Sequence, residues 1–230
     1  MSDLHGAYER YKRMLRLIEF SGNDTLFVLG DIVDRGENPA GILLDMMSRK
    51  NVYPLMGNHD CMAMYFLEIM NSETAEHDFI KHMNEEDSSD FSCWLSSGGK
   101  TTFDSLCRLT TAERADILRY MQEFPLYEIV NLNERTFFLV HAGLGGFRPD
   151  KKLSEYTAEE LIMSRNDPKT RFFDDDSVYV VMGHTPTPLM CGKAVIYHCN
   201  NNIYIDCGAY SPDGRLACLC LDNMEEYYVR

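Results

Sequence analysis

Leu26-Phe27-Val28-Leu29-Gly30-Asp31-Ile32-Val33-Asp34-Arg35-Gly36 is the stretch on which the chain turns. Leu26 to Leu29 is a short apolar run of the kind that forms a buried parallel strand. Gly30 ends it, and two carboxylates and a guanidinium follow at once. The carboxyl end of a strand is where open α/β sheets keep their ligands. Packing has no use for Asp31, Asp34 and Arg35 there. The plainer reading is a polar turn with an internal Asp–Arg pair, and the rest of the chain argues against it by repeating the arrangement.

Working outward, Val52 to Met56 is a second apolar strand, and it ends in Gly57-Asn58-His59-Asp60. Asp60 is placed to cap a helix over Cys61 to Met70, which leaves Asn58 and His59 without a packing task. Leu126 to Val130 and Thr136 to Val140 form a hairpin, whose second arm runs into His141-Ala142-Gly143. Val178 to Met182 runs into Gly183-His184-Thr185-Pro186. One histidine at a strand end is ordinarily a satisfied polar residue. A metal-capable group at each of these strand ends is a pattern. At the front, Asp3 and His5 stand two apart, on one side of an extended backbone, with Gly6 after them.

The intervening segments are helical. Tyr8, Tyr11, Met14 and Ile18 recur at threes and fours within Ala7 to Phe20, and Pro39 opens a helix with Ile42, Leu43, Met46 and Met47 inward. This β-α alternation builds a sheet flanked by helices. Asn71 to Ser92 is polar and acidic and reads as surface loop plus short helix. His77 and His82 within it read as solvent-exposed groups rather than ligands. Gly98-Gly99 marks a turn, Thr110 with Glu113 a capping box, and Leu153 to Met163 a helix. Ala194 to His198, Asn202 to Asp206, Leu216 to Leu221 and Glu225 to Val229 read as strands, a mainly β second half.

The bulk numbers narrow the function classes. At 230 residues and 45% hydrophobic content the chain supports one full core. We expect a single domain over 1–230 with a polar insertion at about 71–107. A net charge of −14 disfavours nucleic-acid binding, which is driven by basic surface. No apolar run is long enough for a bilayer, and Met1 leads directly into polar sequence without a signal-peptide pattern. The expectation is a cytoplasmic monomer or weak oligomer without a membrane partner. The eight cysteines include no C-x-x-C pair and read as buried, reduced thiols.

Six groups, Asp3, His5, Asp31, Asn58, His141 and His184, thus stand at or just beyond strand ends. Carboxylate, imidazole and amide ligands together suit Mn²⁺, Fe²⁺ or Zn²⁺. Six are too many for one catalytic ion with open positions, and they suit two ions sharing a carboxylate.

The motifs D-x-H-G (Asp3–Gly6), G-D-x-V-D-R-G (Gly30–Gly36), G-N-H-D (Gly57–Asp60) and G-H-T-P (Gly183–Pro186) occur in this order. They resemble the phosphoprotein phosphatase branch of the calcineurin-like binuclear metallophosphoesterases, above all its compact bacterial and phage serine/threonine phosphatases. The resemblance runs from Asp3 to about Gly208. It implies an α/β fold with a central β-sandwich flanked by helices. It implies that Asp3 and His5 hold a first metal, that Asp31 bridges, and that Asn58, His141 and His184 hold a second. Manganese is the first choice for both ions, with iron or zinc as alternatives. Asp34 and His59 would handle the proton. Arg35 and Arg165 would bind the phosphate and act in catalysis, with Asn58 also near substrate. Asp206-Cys207-Gly208 resembles a late supporting segment of the family.

The implied activity is metal-dependent phosphomonoester hydrolysis by a serine/threonine protein phosphatase. A hydroxide bridging two cations would attack phosphorus in line, without a phosphoenzyme. The alternative is a symmetrical bis(5'-nucleosyl)-tetraphosphate hydrolase, so the partner is a phosphoprotein or a dinucleoside polyphosphate. The segment Asn71 to Cys107 would shape the substrate groove. A non-catalytic metal-binding scaffold is more remote, because His59, the arginines and every ligand are present. In one respect the sequence departs from the family, which carries an apolar strand before D-x-H-G. Only Met1 and Ser2 precede Asp3 here, so either this start is late or the strand is missing; in the second case Asp3 and His5 are expected to fray and to hold the first metal weakly.

Overall fold

The computed structural model describes residues 1–72 and 83–230; His77 and His82, and part of the polar insertion, lie outside them. The first elements alternate: α1 (Tyr8–Leu17), β1 (Leu26–Val28), α2 (Pro39–Met47), β2 (Val52–Pro54) and α3 (Asn58–Asn71). A helical stretch follows, made of α4 (Glu85–Trp94), a π-helical turn (Leu95–Gly99), α5 (Lys100–Leu106) and α6 (Thr111–Gln122). The hairpin β3 (Tyr127–Leu132) and β4 (Arg135–Val140) opens the β-rich half. It continues through α7 (Ala158–Ile162), β5 (Val178–Met182), α8 (Thr187–Cys191), β6 (Tyr197–Cys199), β7 (Asn202–Tyr204), β8 (Leu216–Leu219) and β9 (Glu226–Val229).

The larger sheet has five strands in the order β3-β4-β5-β7-β6. Its inner pairs β4–β5 and β5–β7 are parallel, and its outer pairs are antiparallel hairpins. β1 and β2 form a parallel pair in register Leu26↔Val52, and β8 and β9 an antiparallel one. Side-chain alternation along β4 shows how the layers stack. Phe137 and Leu139 turn toward Leu29, Leu55, Ala217 and Leu219, which places the β1–β2 and β8–β9 pairs against the large sheet. Phe138 and Val140 turn the other way, onto Tyr156, Leu161, Ile162 and Phe172. A third cluster packs α1, α2, α3 and α6 through Tyr11, Met14, Ile42, Leu43, Phe66 and Ile117 against Val28 and Leu216. The fold is therefore a β core between helical layers, and the ends of β1, β2, β4 and β5 converge on one edge.

Several local expectations need correction. The N-terminal residues do not fray. Leu29 N donates to Met1 O at 2.9 Å, Asp3 N to Gly30 O at 3.1 Å, His5 N to Asp31 O at 2.9 Å and Gly6 N to Ile32 O at 2.9 Å. The segment lies alongside the end of β1, with Met1 and Leu4 buried in the core. Asp60 is not the cap of its helix. α3 starts two residues earlier, at Asn58, and Asp60 reaches back from the first turn to accept from Gly57 N at 3.1 Å. The helix expected over 153–163 is broken, because Thr157 caps a new start by accepting from Glu160 N at 3.2 Å. Gly98 is a kink with φ +117° inside a nearly continuous helix rather than a turn between elements. All eight cysteines are free, but only Cys207 and Cys218 are buried, while Cys93 and Cys107 are exposed. Among the described residues no helix is long and apolar enough to cross a membrane.

Candidate metal centre

The converging loops hold unusual backbone. Among the described residues twelve non-glycine positions have left-handed φ, and six of them are Asp3, His5, Asp31, Asp34, Arg35 and His184. Such conformations cost of order 1–3 kcal/mol each and persist only where surroundings over-determine them. Here the surroundings are other loops at very close range. A Cβ on Gly57 would fall on the Asp31 backbone nitrogen, and one on Gly183 on the Asp3 carboxylate. Glycine at those two motif positions is what lets the loops touch.

Asp31 is the centre. Its Oδ1 accepts from His59 N at 2.9 Å and lies 3.4 Å from His141 Nε2, and its Oδ2 lies 3.5 Å from His5 Nε2. Burial works against its charge, but His141, His5 and His59 outweigh it and hold the carboxyl at about 2. Two groups of ligand atoms share this residue: His5, Asp31 and His59, and Asp31, His141 and His184, each mutually within 4.8 Å. His5 Nδ1 donates to Val33 O at 3.0 Å, and His141 Nδ1 donates to Leu29 O at 2.7 Å. A carbonyl can only accept, so each Nε2 keeps its lone pair and points it into the site. Burial takes His5 down to about 3 against the pull of Asp31, and burial together with His141 takes His184 down to about 4. Neutral imidazole is the form that binds metals.

Around His141 the acceptors crowd. Its Nε2 faces Asn58 Oδ1 at 3.1 Å as well as Asp31. Lone pairs from an imidazole, an amide and a carboxylate converge in a way that a positive charge satisfies. On that observation the donor set fits divalent cations. Asp3 is buried beside this group, but its oxygens are turned to the His184 N–H, at 3.0 and 3.2 Å, and to the Ser2 hydroxyl. Burial, with Asp206 and Asp31 adding, raises its carboxyl well above the usual range. Asp206 accepts from Gly208 N at 2.9 Å, and burial raises it to about 6.

The second constellation is His59, Asp34 and Arg35. His59 Nδ1 lies 2.6 Å from Asp34 Oδ2. Burial opposes protonation of this ring, yet the Asp34 hydrogen bond and the Asp31 and Asp34 charges raise it above an ordinary imidazole. Arg35 Nη1 donates to His5 Nε2 at 2.7 Å and Nη2 to His59 Nε2 at 2.9 Å. The guanidinium has only donors, so His59 carries its proton on Nδ1 in this arrangement. Arg35 also lies over the Tyr210 ring, 4.6 Å from its centre. Arg165 is not brought into the cluster. It stands exposed at the rim, 3.4 Å from the Thr185 hydroxyl.

Four participants were missed in the sequence. Asp60 Oδ1 accepts from Ile32 N at 2.9 Å and Val33 N at 3.3 Å, tying the β1 loop to α3, and burial with Asp31 pushes it to about 7. Trp94 and Thr102 hold Asp34, and Tyr210 lies against His5 and Arg35. Trp94 carries a sequence signal of sorts, as the only tryptophan of the chain. Thr102 carries none.

The family model for calcineurin-like phosphoesterase matches residues 1–218. A curated relative, the symmetrical bis(5'-nucleosyl)-tetraphosphatase of Acidovorax ebreus, is 26% identical over 164 residues, 70% of this chain and 46% of that protein. The chain thus spans less than half the length of this relative. A solved structure provisionally described as a diadenosine tetraphosphatase shares the fold at TM-score 0.64 and 18% identity, covering 99% of this chain and 90% of that one. A Saccharomyces cerevisiae protein serine/threonine phosphatase shares it at TM-score 0.54 and 14% identity, covering 94% and 69%.

Proposed function

The chain belongs to the calcineurin-like phosphoesterase family, and from that membership we propose that it is a metal-dependent hydrolase that splits dinucleoside tetraphosphates symmetrically, at their central phosphoanhydride. The observation that carries the hydrolase reading is Asp31, one buried carboxylate shared by two groups of metal-capable atoms. The substrate reading takes its support from the curated relatives, whose name reverses the order in which the motifs alone rank the two substrates.

In this proposal Asp3, His5 and Asp31 would hold one cation, and Asp31, Asn58, His141 and His184 would hold the other. Two such cations would polarise phosphoryl oxygens and acidify the attacking water. The chain's own groups do the rest. Arg35 leaves the two imidazoles and forks onto the oxygens of the attacked phosphoryl group. That frees His59 Nε2, and the Asp34 carboxylate favours the doubly protonated ring, which then faces the leaving oxygen as an acid. Water oxygen bonds to one central phosphorus, the bond to the central bridging oxygen breaks, and two nucleoside diphosphates result. Arg165 meets the outer phosphates from the rim.

A second reading is a phosphoserine/phosphothreonine protein phosphatase. The His59–Asp34 pair at 2.6 Å favours it, because an alkoxide needs a proton far more than a diphosphate does.

The test is Mn²⁺-dependent turnover of diadenosine tetraphosphate and of a phosphothreonine peptide in parallel. We expect ADP as the only nucleotide product and preference for the dinucleotide. ATP plus AMP would contradict symmetrical cleavage. Preference for the peptide would install the second reading. No chelator-sensitive turnover of either would overturn both and restore the scaffold.

A further inference from the structure

We propose that the helical stretch α4–π-turn–α5 is a clamp on Asp34-Arg35, with Trp94, Gly98 and Thr102 as positioning residues for the proton-handling pair and the phosphate arginine. The proposal rests on the roles given above to His59 and Arg35.

Asp34 and Arg35 are consecutive and both left-handed, with φ +71° and +66°. Neither is glycine, so something must hold the dipeptide. One stretch accepts from both of its backbone N–H groups and supplies two of the donors to the Asp34 carboxylate. Asp34 N donates to Thr102 Oγ1 at 2.8 Å, and the same hydroxyl donates to Asp34 Oδ1 at 2.6 Å. Trp94 Nε1 donates to Asp34 Oδ2 at 3.0 Å, and Arg35 N donates to Gly98 O at 2.9 Å. Trp94 ends α4, Gly98 makes the kink and Thr102 lies in the first turn of α5, so the bend turns all three onto the dipeptide. Gly98 is needed at that bend. Its own φ is +117°, and a Cβ there would overlap Arg35 Cγ.

The consequence for His59 is geometric. Asp34 Oδ1 is taken by Thr102, and Oδ2 is shared between the indole and the imidazole. The carboxylate cannot rotate without breaking a bond to the clamp, so the clamp sets the direction in which it presents Oδ2 to His59 Nδ1. The anchor is firm. Trp94 is 1% exposed, stacked on Phe66 with ring centres 5.1 Å apart, and Thr102 is 1% exposed. Neither side chain is among the candidate ligand groups. Their effect falls on proton transfer to the leaving group and on phosphate binding, with metal binding untouched.

The experiment uses the full metal-loaded chain and two phosphates, an alkyl phosphate and p-nitrophenyl phosphate, whose leaving group needs little protonation. Trp94→Phe and Thr102→Val should lower kcat on the alkyl phosphate by roughly 10- to 100-fold, the cost of small misplacements of a catalytic group. They should lower it much less on the aryl phosphate and leave bound metal unchanged, and Thr102→Ser should restore it. Equal losses on both phosphates, or none on either, would overturn the clamp. His59→Asn is the control for the underlying reading. If its own losses are equal on both phosphates, His59 is not the acid, whatever the clamp does. Trp94, as the only tryptophan, gives a readout independent of turnover in the wild-type protein. Saturating inorganic phosphate, by drawing on Arg35, should shift the indole N–H resonance, as should His59→Asn. An indole resonance that answers to neither overturns the clamp even if the variants fail to fold.

Discussion

His59 and Asp60 are neighbours with opposite assignments. His59 Nδ1 lies against Asp34, and its Nε2 opens toward the site once Arg35 moves. We expect His59→Asn to lower kcat on an alkyl phosphate by about 100-fold or more, the usual range for a general acid, and by clearly less on diadenosine tetraphosphate, while bound metal is unchanged. Steady-state kinetics on the two substrates beside a metal analysis would show it. Asp60 does no chemistry. It accepts from Ile32, Val33 and Gly57 and so joins the loop that carries Asp31 to the one that carries Asn58. Asp60→Ala leaves three buried N–H groups without an acceptor. At about 1–3 kcal/mol for an unsatisfied buried group, urea denaturation should show a loss of at least about 2 kcal/mol. Metal affinity should fall with it. The sequence offered His59 plainly, because a motif contains it, but misplaced Asp60, because an acid near a helix start serves as cap or as back-reaching first-turn residue equally well.

Among the elements, the pairing of residues 1–6 with the end of β1 replaces the fraying expected of a chain end. Backbone bonds to Leu29, Gly30, Asp31 and Ile32 are non-local, and nothing in residues 1–6 announces them. α1 also steadies the rim of the site, since Arg10 donates to the carbonyls of Ala209, Ser211 and Gly214 in the loop that carries Tyr210. α1 and α2 are tied through Asp45, which accepts from Lys12 at 2.6 Å, Arg49 at 2.7 Å and the Tyr11 hydroxyl at 3.0 Å. Burial works against the Asp45 charge, but these partners hold its carboxyl down, from 3.8 to about 2. A carboxyl whose folded pKa is depressed stabilises above its unfolded value and loses that contribution as pH falls through the folded one. Asp45→Asn should therefore melt below the wild type at neutral pH. The gap should hold down to roughly pH 4 and close toward pH 2, as thermal scans across that range would reveal.

At the scale of the whole molecule, the sheets and helices bring Asp3, Asp31 and Asp206 together out of water, each no more than 3% exposed. Three buried carboxylates are costly unless positive charge is near. Cations that bind the folded chain and not the unfolded one stabilise it by mass action. At 100 times Kd one ion adds about 2.7 kcal/mol, or about 5–10 °C in Tm for a chain of this size. We expect Mn²⁺ to raise the melting temperature by that amount or more, and chelator to reverse the rise and abolish hydrolysis together. A chelator-insensitive Tm would mean that Asp3 and Asp206 are stabilised by protonation and Asp31 by the histidines around it instead.

The sequence by itself determined the strand ends, the family and the residue types at the centre. Those are local properties: an apolar run of four or five, a glycine that stops it, a donor just beyond. It also determined the hairpin around 131–135 and the capping box at Thr110, where neighbours in the chain are partners in space. Tertiary structure alone decided that Asp60 would tie the Asp31 loop to α3, that Asp3 would turn to the His184 N–H, and that Arg165 would stay at the rim. It decided as well that Trp94 and Thr102 would hold Asp34. These contacts join residues 20 or more apart in the chain, and their geometry is set by the packing of whole layers, which no short stretch of sequence encodes.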